Sequence, residues 1–196
     1  ISAKYRIDTT GSEWTAQVDY NYYGNTNTQL YKNFNYSPAK PTVSGDGANK
    51  NNKQIFLFQT DLVLKFPKSL TLEAGFKTTI SNSENSSNYF KDTGNNNRFV
   101  DVFQTNTFKY KENITAAYLQ VSKTFAGFTI KPGLRLEVTD INGKQLIPKD
   151  TTLSLKRTDV FPYLFIKHKL FNMFGFPLIG NAIYRKSIRR PYYEVL

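Results

Sequence analysis

The chain has 196 residues, 26 Lys and Arg against 15 Asp and Glu, a net charge of +11 and a sequence pI of about 9.7. It contains no cysteine and one histidine, and its 16 Phe and 13 Tyr coexist with a mean hydropathy of −0.49. These figures exclude a disulfide framework and a thiolate metal site. Aromatics are mixed residue by residue with Asn, Thr, Ser and Lys, which disfavours helices rich in Leu and Ala, and no apolar run approaches the ~18 residues of a membrane helix.

Taken in chain order, the apolar-rich stretches alternate with the period of a strand. "AKYRID" is a first strand and "TTGSE" a short link. In "WTAQVDYNYY", Trp14, Ala16, Val18, Tyr20 and Tyr22 oppose Thr15, Gln17, Asp19 and Asn21. A polar link over residues 24–54 leads to "IFLFQTDLVLKF", where Phe56, Phe58, Leu62, Leu64 and Phe66 oppose Gln59, Asp61 and Lys65. "PKS" turns tightly into "LTLEAGFKTTI", with Leu70, Leu72, Ala74, Phe76 and Ile80 opposite Thr71, Glu73, Gly75, Lys77 and Thr79. A second polar link over residues 81–107 precedes "FKYKENITAAYLQVSK". Here Phe108, Tyr110, Ile114, Ala116 and Tyr118 form the apolar side, with Glu112 an exception among them, against Lys109, Lys111, Asn113 and Thr115. After "FAG", the strand "FTIKPGLRLEVTD" sets Phe128, Ile130, Leu134, Leu136 and Val138 against Thr129, Lys131, Gly133, Arg135 and Glu137. The long link "DINGKQLIPKDTTLSLKRT" follows, then "VFPYLFIKHKL", the short "FNMFGFP", and "LIGNAIYRKSI" with Arg185 on its polar side.

Short and long connections alternate along the chain. A soluble sandwich has no reason to sort loops by length, because both its ends meet the same solvent. An antiparallel transmembrane β-barrel does, with short periplasmic turns and long extracellular loops. Phe125, Phe128, Phe171, Phe174 and Phe176 gather beside the short turns, and Tyr20, Tyr22, Tyr23, Phe108 and Tyr110 toward the long links, as interface girdles require. The expected location is therefore the outer membrane, in contact with its lipid. The polar faces give a set of residues expected to face the lumen: Gln17, Asp19, Gln59, Asp61, Lys65, Glu73, Lys77, Lys131, Arg135, Glu137 and Arg185. They are expected mainly to pair with one another and brace the wall, leaving ligand or partner contact to the long links.

No cofactor, metal site or catalytic constellation is expected. His168 lies between Lys167 and Lys169 near a strand end and reads as structural. The densest basic stretch, "YRKSIRRPYY", is too short for a nucleic-acid stripe, so neither nucleic-acid binding nor enzymatic activity is expected. A self-contained eight-stranded structural or small-pore barrel and a soluble glycan-binding β-sandwich are the alternatives.

Several motifs taken in order resemble the barrel of TonB-dependent receptor-like outer-membrane proteins of the Bacteroidetes type. They are Tyr110, Glu112, Ile114, Ala116, Ala117 and Tyr118, then "GLRLEVT" at residues 133–139, then "FPYLFIKHKL", and finally Arg190, Pro191 and Tyr192. The pair "QTDLVLKF…LTLEAGFKTTI" is similar to an earlier strand pair of such barrels. The resemblance implies uptake of nutrients or an outer-membrane protein assembly, and a barrel of about 22 strands filled by an N-terminal plug. Residues 1–196 then form roughly eight strands of that larger barrel. It also implies partners: the plug and TonB through the full-length chain, and a surface lipoprotein or other outer-membrane protein.

Overall fold

The computed structural model describes residues 1–33, 43–93, 97–147 and 149–188. The Arg190, Pro191 and Tyr192 motif and the tip of the first long link lie outside them. The fold is a single antiparallel sheet: β1 (Ser2–Arg6), β2 (Glu13–Asn33), β3 (Val43–Phe66), β4 (Leu70–Asp92), β5 (Arg98–Val100), β6 (Asn106–Phe125), β7 (Phe128–Ile147), β8 (Thr151–Met173) and β9 (Phe176–Arg185). The main path runs β1-β2-β3-β4-β6-β7-β8-β9, an uninterrupted meander, and β5 pairs with the far end of β4. Among the described residues β1 and β9 do not meet, so the sheet is open.

Its surface explains its composition. The exposed area is 14307 Å², against about 9,500 Å² for a compact soluble monomer of 22.5 kDa. The buried residues invert the usual order: among those described, only Tyr110 and Ala116 are buried apolar side chains. Ser12, Ser81, Asp101, Thr105, Glu137 and Thr139 are buried polar ones. Large apolar side chains such as Leu119, Leu136 and Ile183 are instead exposed. Among the described residues no second layer covers the sheet.

The tight connections follow local backbone chemistry. Ala126 and Gly127 both have positive φ, as do Phe174 and Gly175. This is the hairpin geometry whose twist matches that of paired strands. Lys68 and Ser69 adopt positive φ in the "PKS" turn. Between β1 and β2 the chain is held by Asp8, which accepts hydrogen bonds from the Thr10 and Ser12 backbone amides, both at 2.9 Å, and from the Thr10 hydroxyl at 2.7 Å.

Two expectations are corrected. The long polar links are largely strand: β2 and β3 pair from Glu13↔Val63 up to Asn33↔Val43, and β3 and β4 up to Ser44↔Asp92. Between the end of β7 at Ile147 and the start of β8 at Thr151, only Lys149 and Asp150 among the described residues lie outside strands. Ladder hydrogen bonds hold these extensions regardless of side chain. With Asn, Ser, Thr and Lys on both faces they have no apolar period to read. The second correction concerns β6. Its register, Gly75↔Tyr118↔Arg135 and Lys77↔Ala116↔Glu137, puts Tyr110, Glu112, Ile114, Ala116 and Tyr118 on the polar face. The apolar face carries Thr115, Ala117, Leu119 and Val121. Glu112 is thus no exception.

Candidate functional site

Directly paired residues in adjacent antiparallel strands point to the same side, so the register sorts every strand onto two faces. One face is free of charge over a broad band. It carries Phe56 to Phe66 on β3, Leu70 to Ile80 on β4, Asn113 to Val121 on β6, Phe128 to Val138 on β7 and Thr158 to His168 on β8, taking alternate residues. No Asp, Glu, Lys or Arg falls on that face within those spans. Its few polar atoms satisfy one another: the Trp14 indole N–H donates to Thr60 Oγ1 at 2.8 Å, and the Thr60 hydroxyl donates to the Thr15 carbonyl at 3.0 Å. Thr78 and Thr115 share a hydrogen bond of 3.0 Å. Phe66, Phe125, Phe128, Phe171 and Phe176 are exposed on this face beside the tight turns, and Tyr20 and Tyr22 at its other rim, whereas Tyr23, Phe108 and Tyr110, expected in the same girdle, belong to the opposite face. His168 belongs here too. Its ring stacks on Phe128 with centroids 3.7 Å apart, and its Nδ1 lies 3.2 Å from the Gly127 carbonyl oxygen.

The other face is a charged ladder. All eleven residues picked out by the alternation lie on it, in three principal rows: Gln17, Gln59, Lys77, Ala116, Glu137 and Asp159; Thr15, Asp61, Gly75, Tyr118, Arg135 and Phe161; Glu73, Gln120, Gly133, Tyr163 and Arg185. Asp19 sits one step above these rows, Lys65 and Lys131 one step below. Each acid gathers donors. Asp61 accepts from the Tyr118 hydroxyl and from Gln59 Nε2, both at 2.7 Å. Glu73 accepts from Lys131 Nζ at 2.9 Å and Gln120 Nε2 at 2.8 Å. Arg135 donates to Glu137, which is only 4% exposed, at 2.8 Å. Arg157 grips Asp159 through Nε and Nη2 at 2.8 and 2.7 Å. Gln17 donates to Asp19 at 2.6 Å. By contrast, Lys65, Lys77 and Arg185 form no ion pair with an acidic side chain among the described residues, although the charge of Lys65 acts on Glu13.

Sequence reading missed Tyr118, Gln120, Arg157 and Asp159. The first two fell to the reversed face of β6, where "ALV" at positions 117, 119 and 121 was the usable signal. The last two fall in the long link "DINGKQLIPKDTTLSLKRT" and the stretch after it, although they alternate with Thr158 and Val160. Above the ladder, on the same face, lies a cleft of about 530 Å³ whose walls include Asn85, Phe108, Tyr110, Gln145 and Leu153. Phe108 and Tyr110 stack there with centroids 6.4 Å apart.

A charge-free face on one side and an ion-paired face on the other is the inside-out arrangement of a membrane-spanning sheet. The chain matches the model of the outer membrane protein beta-barrel family over residues 5–196. The chain belongs to that family. No curated protein matches the chain. As an outer membrane protein beta-barrel family member it resides in the outer membrane, and its dimensions agree. From Phe56 to Phe66 the band on β3 covers ten residue steps. At ~3.4 Å per residue and a strand tilt of ~40° that is about 26 Å of height, close to the ~25 Å apolar belt of such proteins.

Outside the band, a compact knot orders the far end of the β4 to β6 connection. Asp101, 2% exposed, pairs with Lys91 at 2.8 Å and accepts a hydrogen bond from the Phe103 N–H at 3.1 Å. The Lys91 ammonium, then the Phe103 amide, hold the Asp101 carboxyl below its ordinary range, and Asp101 in turn raises Lys91. Arg98 closes the other side, donating to Asp46 at 2.9 Å while lying 3.8 Å over the Phe90 ring.

Proposed function

We propose that this chain contributes wall strands to a TonB-dependent receptor-like barrel of the Bacteroidetes type, serving nutrient uptake or an outer-membrane protein assembly. The charged ladder faces the lumen and the charge-free face meets lipid. The observation that carries the reading is the ladder itself, which holds its ion pairs opposite a band where a basic side chain would cost roughly 2 to 4 kcal/mol. The open sheet fits a wall shared with further strands, because backbone groups at either edge need partners in hydrocarbon. Lys65, Lys77 and Arg185 then supply donors for a lumenal plug or an acidic ligand. The role is transport or scaffolding without chemistry of its own. Its partners are membrane lipid, the plug and TonB through the full-length chain, and a surface lipoprotein or other outer-membrane protein; nucleic acid is not one.

Cysteine accessibility in native outer membranes tests this. With a small membrane-impermeant maleimide, Lys77→Cys should label and Leu134→Cys should not. The Lys77→Cys rate should also fall when an uncoupler collapses the proton-motive force, as energy-coupled plug movement requires. Labelling of Leu134→Cys but not Lys77→Cys would reverse the faces, and a rate indifferent to the uncoupler would remove the energy-coupled reading.

A further inference from the structure

Just beyond the charge-free band, still on the lipid-facing side, lies a cleft of about 560 Å³ lined by Tyr22, Gln54, Asn82, Lys109, Lys111 and Lys144 among others. Register places most of its lining on that face, with Ser83, Tyr110 and Gly143 belonging to the opposite one. Tyr22, Gln54, Asn82, Lys111 and Asn142 are mutually paired, and one step farther out come Gly24, Asn52, Glu84, Lys109, Lys144 and Thr152. The cleft contains three lysines and a single carboxylate, Glu84. Lys109 reaches Glu84 at 3.4 Å and Lys144 reaches Asp150 at 3.4 Å, both as exposed pairs that water and anions exchange easily. Lys111 has no acidic partner among the described residues. The absence of a Cβ at Gly24 lets the Tyr22 ring lie along the strand, where its hydroxyl approaches Asn52 Oδ1 at 3.3 Å.

Three features combine at this spot. Ammonium groups suit phosphate, and a row of side-chain amides with a flat tyrosine suits sugar hydroxyls and ring faces. In the row directly below, Tyr20, Phe56 and Ile80 offer an apolar wall for acyl chains, which Val138 continues one row farther in; Asn113 and Asp140 complete the row, and Asp140 accepts a hydrogen bond from Asn142 at 2.9 Å. The long-hairpin end of such sheets faces outward from the cell, and basic clusters at the rim of a membrane span are headgroup sites. We propose that this cleft binds the phosphorylated sugar headgroup of a glycolipid in the outer leaflet. The inference rests on the lipid-facing assignment of the charge-free side, which the labelling of Leu134→Cys tests separately from any lysine.

The test uses the full-length protein in phosphatidylcholine nanodiscs, with a bis-phosphorylated, acylated glucosamine disaccharide as probe and its dephosphorylated form as comparison. Wild type should bind the phosphorylated probe at least tenfold more tightly than the dephosphorylated one. The triple variant Lys109→Ala, Lys111→Ala, Lys144→Ala should lose at least tenfold in affinity, and Lys123→Ala, on the same face at the opposite rim, should lose none. Lys111→Gln, which removes the charge but keeps a polar side chain only one atom shorter, should show a several-fold loss and serves if the triple variant does not fold. Equal binding of the two probes, or unchanged affinity in Lys111→Gln, overturns the proposal. Displacement of the glycolipid by equimolar inorganic phosphate would assign the cleft to free phosphate and overturn the lipid source.

Discussion

Gly75 marks the most crowded point of the ladder. A Cβ built there would overlap the Tyr118 ring and the Asp61 carboxylate, the two groups joined by a 2.7 Å hydrogen bond. Gly75→Val should therefore destabilise the folded protein by about 1 to 3 kcal/mol through overpacking. Gly133→Ala, whose Cβ would meet only the flexible Gln120 side chain at 3.3 Å, should cost far less. Denaturant unfolding in lipid vesicles, followed by the fluorescence of the sole tryptophan Trp14, measures both. A second residue-level prediction contrasts neighbours on opposite faces. Leu134→Arg puts a cation in the apolar band and should cost roughly 2 to 4 kcal/mol near the midplane, while the adjacent native Arg135 is accommodated by Glu137.

At the level of elements, what could be read in the sequence depended on the medium each strand segment crosses. The alternation of β7 was legible along Phe128 to Val138 because one medium meets each of its faces over that length. In β6 the basic end, Lys109 and Lys111, lies beyond the apolar band, where outward side chains are hydrophilic. Taking those lysines as the guide reversed the face of Ala116 and Tyr118. The same change of solvent hid the strand extensions, since a ladder among Asn, Ser and Thr leaves no hydrophobic period. The order at the end of β4 was invisible for another reason: Lys91 and Asp101 meet only through folding. That knot has a definite pH behaviour. The carboxyl of Asp101 is depressed when paired, so its contribution is complete above the unpaired value of ~3.9 and is lost as pH falls through the lower, paired one. Lys91 is raised, so its contribution is complete below the unpaired ~10.4 and is lost as pH rises through the higher, paired one. Protease cleavage near Phe103, which is 92% exposed, should be constant from pH 5 to 9 and rise in Asp101→Asn at every pH in that range. The turns give one more element-level test. Ala126 holds positive φ ahead of Gly127, a conformation that costs an L-residue roughly 1 to 2 kcal/mol. Ala126→Asn should recover part of that, raising the midpoint of thermal unfolding in detergent.

For the whole molecule, the decisive quantity is the area left uncovered. A single layer exposing 14307 Å² cannot draw its stability from a protein core. The polar face gives it ion pairs and hydrogen bonds, but exposed or half-exposed pairs of this kind contribute only tenths of a kcal/mol to about 1 kcal/mol each. The apolar face must supply the remainder, and it does so only against a nonpolar medium, at about 25 cal/mol for each Å² withdrawn from water. Folding and insertion are therefore coupled: in aqueous buffer the charge-free band would meet water, or the same band of another copy. The expected outcome is a monomer with full strand content in detergent above its critical micelle concentration. Dilution below that concentration should give loss of Trp14 protection together with association, seen by fluorescence quenching and sedimentation velocity. Persistence of a folded monomer without amphiphile would mean that some other surface covers Leu119, Leu134 and Leu136, and would contradict the lipid-facing assignment of that side.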